Sequence, residues 1–195
     1  MHRDARCAVK TACGSFGGGH GLAGTLSAVS RRNQIKMTAP EVAELLAHER
    51  TVTCATTGPR GWPHLMPLWY VLRDGQPGEP GPRIWAWTYG ASQKVRNLER
   101  DARATLQVEA GEAYAELRGV MFECEAIVHR DIDTVAPLGA AILLRNSVPR
   151  GVDPPAELAP EARAAVEAQA PKRVGLELVE RRRTTWDHRK LGGAY

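Results

Sequence analysis

The chain has 195 residues, 43% hydrophobic and 25% charged, enough for one domain with a sizeable core and of ordinary soluble composition. No apolar run approaches the roughly 20 residues of a membrane span, so the expectation is no membrane and a cytoplasmic setting. Six of the 26 basic residues but only one of the 22 acidic ones fall in residues 1–36, leaving 20 and 21 for the rest; the net +4 is therefore local, and no general nucleic-acid footprint is expected.

Residues 1–36 are rich in Gly, Ser and Arg and lack apolar periodicity. They read as a disordered or mis-assigned extension, with Met37 as a candidate start and one domain over 37–195. Thr38-Ala39-Pro40-Glu41 has the spacing of a capping box with proline in the first turn, opening a helix through His48 with Val42, Leu45 and Leu46 on its apolar face. Thr51 to Thr57 reads as a strand and Gly58 to Gly61 as a turn. Leu65 to Leu72 is a second strand, in which Pro67 implies an edge or a bulge. A long turn-rich loop, Asp74 to Pro82, leads to a third strand, Arg83 to Tyr89. After Gly90-Ala91 a short basic helix opens at Ser92, and Ala104 to Glu109 is a fourth strand.

Tyr114 to His129 reads as the longest strand, with its apolar phase flipping at Gly119, a signature of a bulge or sharp bend. Asp131 to Arg145 is helical, Arg150 to Pro171 is a Pro/Ala-rich excursion with a helix from Ala159 to Ala168, and Val174, Leu176 and Leu178 alternate as a last strand. Strands dominate and the helices do not alternate with them. This pattern predicts a mainly β fold with a few helices, a small antiparallel barrel. Cys7, Cys13, Cys54 and Cys124 have neither metal nor disulfide spacing; Cys54 and Cys124 read as buried thiols.

The chemistry concentrates after the third strand. At Ser92 the free N–H groups of a helix start, a hydroxyl and the cations of Lys94 and Arg96 converge, which is an anion site suited to phosphate; an ordinary basic surface helix is the competing reading. Trp69 and Tyr70 are neighbours and must face opposite sides of their strand. Arg118 reads either as an anion ligand or as an ion-pair partner of Glu116 or Glu99. His64 and His188 are candidate proton donors without a carboxylate partner in sequence. No nucleophile elbow, metal cluster or dinucleotide fingerprint is visible, and no catalytic residue is identified.

The run Lys94-Val95-Arg96-Asn97-Leu98, followed by Arg100-Asp101-Ala102-Arg103-Ala104 and a strand, resembles the phosphate-binding segment of the pyridoxamine-phosphate-oxidase-like split-barrel flavoproteins, especially their deazaflavin-using actinobacterial branch. Ala102 stands where that family usually has proline. Trp62-Pro63-His64-Leu65-Met66-Pro67-Leu68-Trp69-Tyr70, Tyr114-Ala115-Glu116-Leu117-Arg118-Gly119-Val120 and Trp186-Asp187-His188-Arg189-Lys190-Leu191-Gly192-Gly193 match in the same order, so the resemblance covers Thr38 to Tyr195.

The resemblance implies a split β-barrel of the FMN-binding kind, binding the deazaflavin coenzyme F-420 or, as runner-up, FMN. It implies a phosphate held by Ser92, Lys94 and Arg96 beside Thr88, and a ring system lined by Leu65, Met66, Pro67, Leu68, Trp69 and Tyr70. Arg118, Gly119 and Trp186 complete the implied cofactor-binding set. Gln93 replaces a residue often basic in flavin-binding relatives, which argues for a cofactor other than FMN, and the resemblance of Lys94 to Leu98 to the deazaflavin-using branch favours F-420. The implied activity is hydride transfer between the cofactor and a small conjugated or heterocyclic substrate, in a homodimer. The Arg-Leu-His substrate motif of true pyridoxamine-phosphate oxidases is replaced by Arg189-Lys190-Leu191-Gly192-Gly193. The alternative is a non-catalytic binder of a flavin, a deazaflavin or a haem-like ligand.

Overall fold

A computed structural model describes residues 30–75 and 82–192. Six antiparallel strands close into a barrel in the order β1-β2-β3-β6-β5-β4. They are β1 (Thr51–Thr57), β2 (Pro63–Arg73), β3 (Arg83–Tyr89), β4 (Arg103–Ala110), β5 (Arg118–His129) and β6 (Arg173–Asp187). Among the described residues five α-helices accompany them, with three short 3-10 turns: α1 (Arg31–Gln34), α2 (Ala39–His48), α3 (Gln93–Arg100), α4 (Ile132–Asn146) and α5 (Pro160–Gln169). The mainly β barrel expected from the strand pattern is the observed fold.

Alternation along each strand builds the core. Val52 and Cys54 of β1, Leu68 and Tyr70 of β2, Ile84 and Ala86 of β3, and Leu176 and Leu178 of β6 all point inward, as period two requires. α2 plugs one end of the barrel with Val42, Leu45 and Leu46. Its capping box forms as expected, with the Glu41 N–H donating to Thr38 Oγ1 and the Thr38 N–H donating to the Glu41 carboxylate. α4 covers part of the outer wall, packing Leu138 and Ile142 on Val71 and Trp85. The turn into β2 needs Gly61, whose φ of 80° favours glycine. Cys54 and Cys124 are free and buried, and burial pushes their thiols up to about 11 and about 12. Cys7 and Cys13 lie outside the described residues, as does the middle of the loop between β2 and β3.

Two expectations need correction. Tyr114 to His129 is not one strand: Tyr114–Glu116 forms a single 3-10 turn and β5 begins at Arg118. The phase flip at Gly119 marks this change of element, not a bulge. The bulge lies further along, where Glu123 pairs with Arg182 but Cys124 pairs with Glu180, leaving Arg181 as the extra residue of β6. β6 is correspondingly longer than its Val174-Leu176-Leu178 pattern predicted, because Arg181 to Arg183 are charged and exposed and the half-buried Thr184 to Trp186 carry no apolar alternation.

Residues 1–29 of the expected extension lie outside the described residues. Of the described Ser30 to Lys36, Ile35 and Lys36 engage the body, so the packed chain begins before Met37. The Ile35 carbonyl accepts from the Asp187 N–H at 2.7 Å, and the Lys36 carbonyl accepts from Lys190 Nζ at 2.7 Å. Deleting residues 1–29 should leave the thermal midpoint unchanged. Deleting residues 1–36 should lower it by about 2–4 °C, the shift that one kcal/mol produces in a domain of this size. Identical midpoints for both truncations in a calorimetric scan would show that these contacts carry no stability.

Candidate functional site

The barrel is split at one seam. β2 pairs with β3 only from Tyr70↔Ala86 to Arg73↔Arg83. Earlier in β2, Pro63 to Trp69 pair with β1 alone, and Trp87 to Tyr89 of β3 pair with β6 alone. The two strands therefore diverge and open a cleft. Pro67 sits in the half-paired stretch, which explains how a proline is accommodated inside a barrel strand.

α3 starts at the β3 side of this cleft. Ser92 takes the N-cap position in extended backbone, but its side chain makes no capping bond. Its hydroxyl oxygen is buried without a partner. Lys94 is 7% exposed, not the solvated lysine of the competing surface-helix reading. Its ammonium donates to Thr88 Oγ1 at 3.0 Å, and among the described residues no carboxylate pairs with it. Burial, with the charge of Arg173 adding to it, holds the Lys94 amine below its ordinary value. A desolvated ammonium bonded to one neutral hydroxyl is costly, and an anion at the helix start would relieve that cost.

Asn97 locks the helix in place. It is fully buried, and its amide donates to Thr56 Oγ1 of β1 at 3.0 Å while accepting from Gln93 Nε2 at 2.8 Å. Gln93 is thereby engaged within α3, and Arg96 is exposed. Sequence reasoning missed Arg173, the residue opposite Tyr89 on β6. Its guanidinium lies 4.5 Å from the Trp87 ring centroid and 3.5 Å from that of Tyr89, a cation–π clamp. Its Nε is buried without a partner. Nothing local to Lys172-Arg173-Val174 signals this role; only the β3–β6 register does.

Along β2 the implied ring-binding residues divide by exposure rather than strictly by parity, since Met66 is exposed although it alternates in phase with Leu68 and Tyr70. Leu68 and Tyr70 face the core, and Tyr70 Oη donates to the Leu46 carbonyl at 2.8 Å. Burial pushes the Tyr70 phenol up to about 12. Leu65, Met66 and Trp69 are 57%, 41% and 52% exposed, leaving them open to a ligand or a partner. Trp62, 73% exposed, extends this patch. His64 has a buried Nδ1 without a partner.

The remaining three residues sit elsewhere. Gly119 faces Trp186 and Arg118 faces Asp187 at the far end of β6. A Cβ on Gly119 would lie 2.2 Å from the Trp186 ring, so the glycine makes room for that indole. Arg118 reaches Glu44 at 3.7 Å instead of Glu116 or Glu99; Glu99 pairs with Arg130. His188 packs against Tyr114, ring centroids 4.5 Å apart. Thr88 is opposite Val174, the second residue of β6, whereas Trp186 is its second-to-last. One protomer therefore brings together Thr88, Ser92 and Lys94, and holds Arg118, Gly119 and Trp186 apart from them.

Comparison with known proteins gives this arrangement a family. Residues 38–174 match the family model described as pyridoxamine 5'-phosphate oxidase. The chain belongs to that family. A conserved hypothetical protein from Mycobacterium tuberculosis is 36% identical, with 84% of this chain and 93% of that chain covered and a TM-score of 0.70. An F-420 reductase shares the fold at 17% identity, covering 72% of this chain and 93% of its own, TM-score 0.50. HutZ, the haem storage protein from Vibrio cholerae, does so at 17% identity, 74% and 90% coverage, TM-score 0.53. No curated protein matches this chain at a significant level.

Proposed function

We propose that this member of the pyridoxamine 5'-phosphate oxidase family is a cofactor-dependent oxidoreductase that binds the deazaflavin F-420, with FMN as runner-up. The observation that carries the reading is Lys94, a buried ammonium without a carboxylate partner, beside the unpartnered hydroxyl of Ser92 at the start of α3. A phosphate fits both: it supplies the missing charge to Lys94 and an acceptor to Ser92. Bound there, the cofactor would supply hydride chemistry. Lys94, Ser92 and the α3 N–H groups would hold its phosphate. Leu65, Met66 and Trp69 on the half-paired edge of β2 would cover its ring system, and the unpaired backbone groups of that edge would meet the ring's polar rim. The substrate class is a small conjugated or heterocyclic hydride acceptor.

The deciding experiment is an absorption and fluorescence titration of the purified protein with F-420 and with FMN, followed by turnover with a reduced cofactor and an added acceptor. Binding to neither cofactor would sink the assignment. Binding without turnover would favour a sequestering protein, the alternative raised by the shared fold of a haem storage protein.

The working unit is proposed to be a homodimer. Leu65 and Trp69 of β2, and Trp62 just before it, are exposed large apolar side chains, of the kind that mark interaction sites. A second copy is also what would bring Arg118 and Trp186 to the Lys94 cleft. Trp85 and Trp87 are taken up within the protomer by α4, His129 and Arg173. Sedimentation at micromolar concentration should give a dimer with cofactor present; a monomer alone would refute it.

A further inference from the structure

β6 parts from β3 well before its own end. Their pairing stops at Ile84↔Leu178, and the extra residue Arg181 then bends β6 along β5. α2 does not close the gap that this leaves. A cavity of about 860 Å³ remains between α2 and the departing strand, within the 300–1,000 Å³ range of small-molecule sites. We propose that this cavity is a second binding site, separate from the Lys94 cleft, for an amphipathic organic anion with an aliphatic body.

The walls define the body of the ligand. Val42, Leu46, Ile84, Phe122 and Leu178 line the cavity, and a single aromatic ring among aliphatic side chains suits a flexible chain better than a flat ring system. The rim defines the head. The charged lining residues are Arg83, Arg181 and Arg183 against Glu180, an excess of cations. Arg83 is engaged with Glu177, so the head falls to the other two. Arg183 spans rim and wall, its guanidinium 5.6 Å from the Phe122 ring centroid. Its ion pair with Glu180 at 2.5 Å and that of Arg181 with Glu125 at 2.6 Å are partly exposed. Such pairs are worth little, so a ligand carboxylate can replace Glu180 or Glu125 at small cost. On the same edge, the backbone of Val179 to Arg183 has no strand partner on the β3 side among the described residues and offers further donors.

The test uses the full chain and decanoate as probe, with displacement of 8-anilinonaphthalene-1-sulfonate fluorescence as readout. Decanoate should displace the dye saturably, and decanol and decylammonium should do so at least about tenfold more weakly, the loss expected when one charge-assisted contact is missing. Ala43→Trp, at an exposed position of α2 beside the cavity, should fold normally and bind decanoate at least about tenfold more weakly by occupying its space. Arg183→Gln should reproduce the loss of head-group preference, and Lys94→Ala should leave decanoate affinity unchanged. The proposal is overturned if decanoate does not bind saturably, if decanol binds equally well, or if Lys94→Ala and not Ala43→Trp removes the binding.

Discussion

Lys94→Met should weaken cofactor binding by roughly ten- to a hundredfold, since a charge-assisted contact to phosphate is worth about 1.5–3 kcal/mol. The same substitution should make the cofactor-free protein more stable. Lys94 is buried with Thr88 Oγ1 as its hydrogen-bond acceptor, and removing a desolvated charge in favour of an apolar side chain of similar length is often stabilising. The pH dependence separates this from a simple packing effect. Burial holds the folded-state amine below its ordinary 10.5, so in that interval the unfolded chain binds more protons and stability rises with pH. The deficit of wild type is complete below the lowered folded value and shrinks as pH climbs toward 10.5. Urea unfolding at pH 7 and pH 10 should therefore show the advantage of Lys94→Met closing at the higher pH. Unchanged affinity for both F-420 and FMN would remove the phosphate-site reading.

Arg145→Met should be the most destabilising single change outside the apolar core, by about 2–4 kcal/mol, or very roughly 4–16 °C in midpoint. The Arg145 guanidinium donates to the carbonyls of Tyr70 at 2.6 Å, Leu46 at 2.7 Å, Ala47 at 3.0 Å and Glu49 at 2.8 Å. It also lies 4.6 Å from the Tyr70 ring centroid. Three of these acceptors belong to the C-terminal turn of α2 or follow it directly, where the helix leaves its last carbonyls unsatisfied. Arg145 thus joins α4, α2 and β2 through one planar group, and Met keeps the apolar stem while losing every donor. A lysine retains the charge but not the fork, so Arg145→Lys should recover less than half of the loss. A thermal shift within a degree or two of wild type for Arg145→Met would show that water replaces these donors freely.

The bounds of α2, β1 and β3 were legible in the chain because each has a local cause: a capping box at Thr38, strict period-two burial in β1, and a run of β-prone aromatic residues in β3 ended by Gly90. The barrel class and the helix start at Ser92 were legible for the same reason. β5 was misjudged at its start because the apolar positions around the 3-10 turn before it mimic alternation, and β6 at its end because the exposed charges of Arg181 to Arg183 interrupt its hydrophobic period. Lys94 was identified by type and position, yet its burial was not, since nothing in Gln93-Lys94-Val95 says which way α3 turns; Asn97 bonded to Thr56 decides it. Arg173 and Arg145 act through partners 75 or more residues away in sequence or on a neighbouring strand. Spacing along the chain carries the periodicity of one element. The seam between β2 and β3, the separation of Arg118 and Trp186 from Lys94, and the cavity beside α2 depend on register between strands, which forms only when all six strands close together.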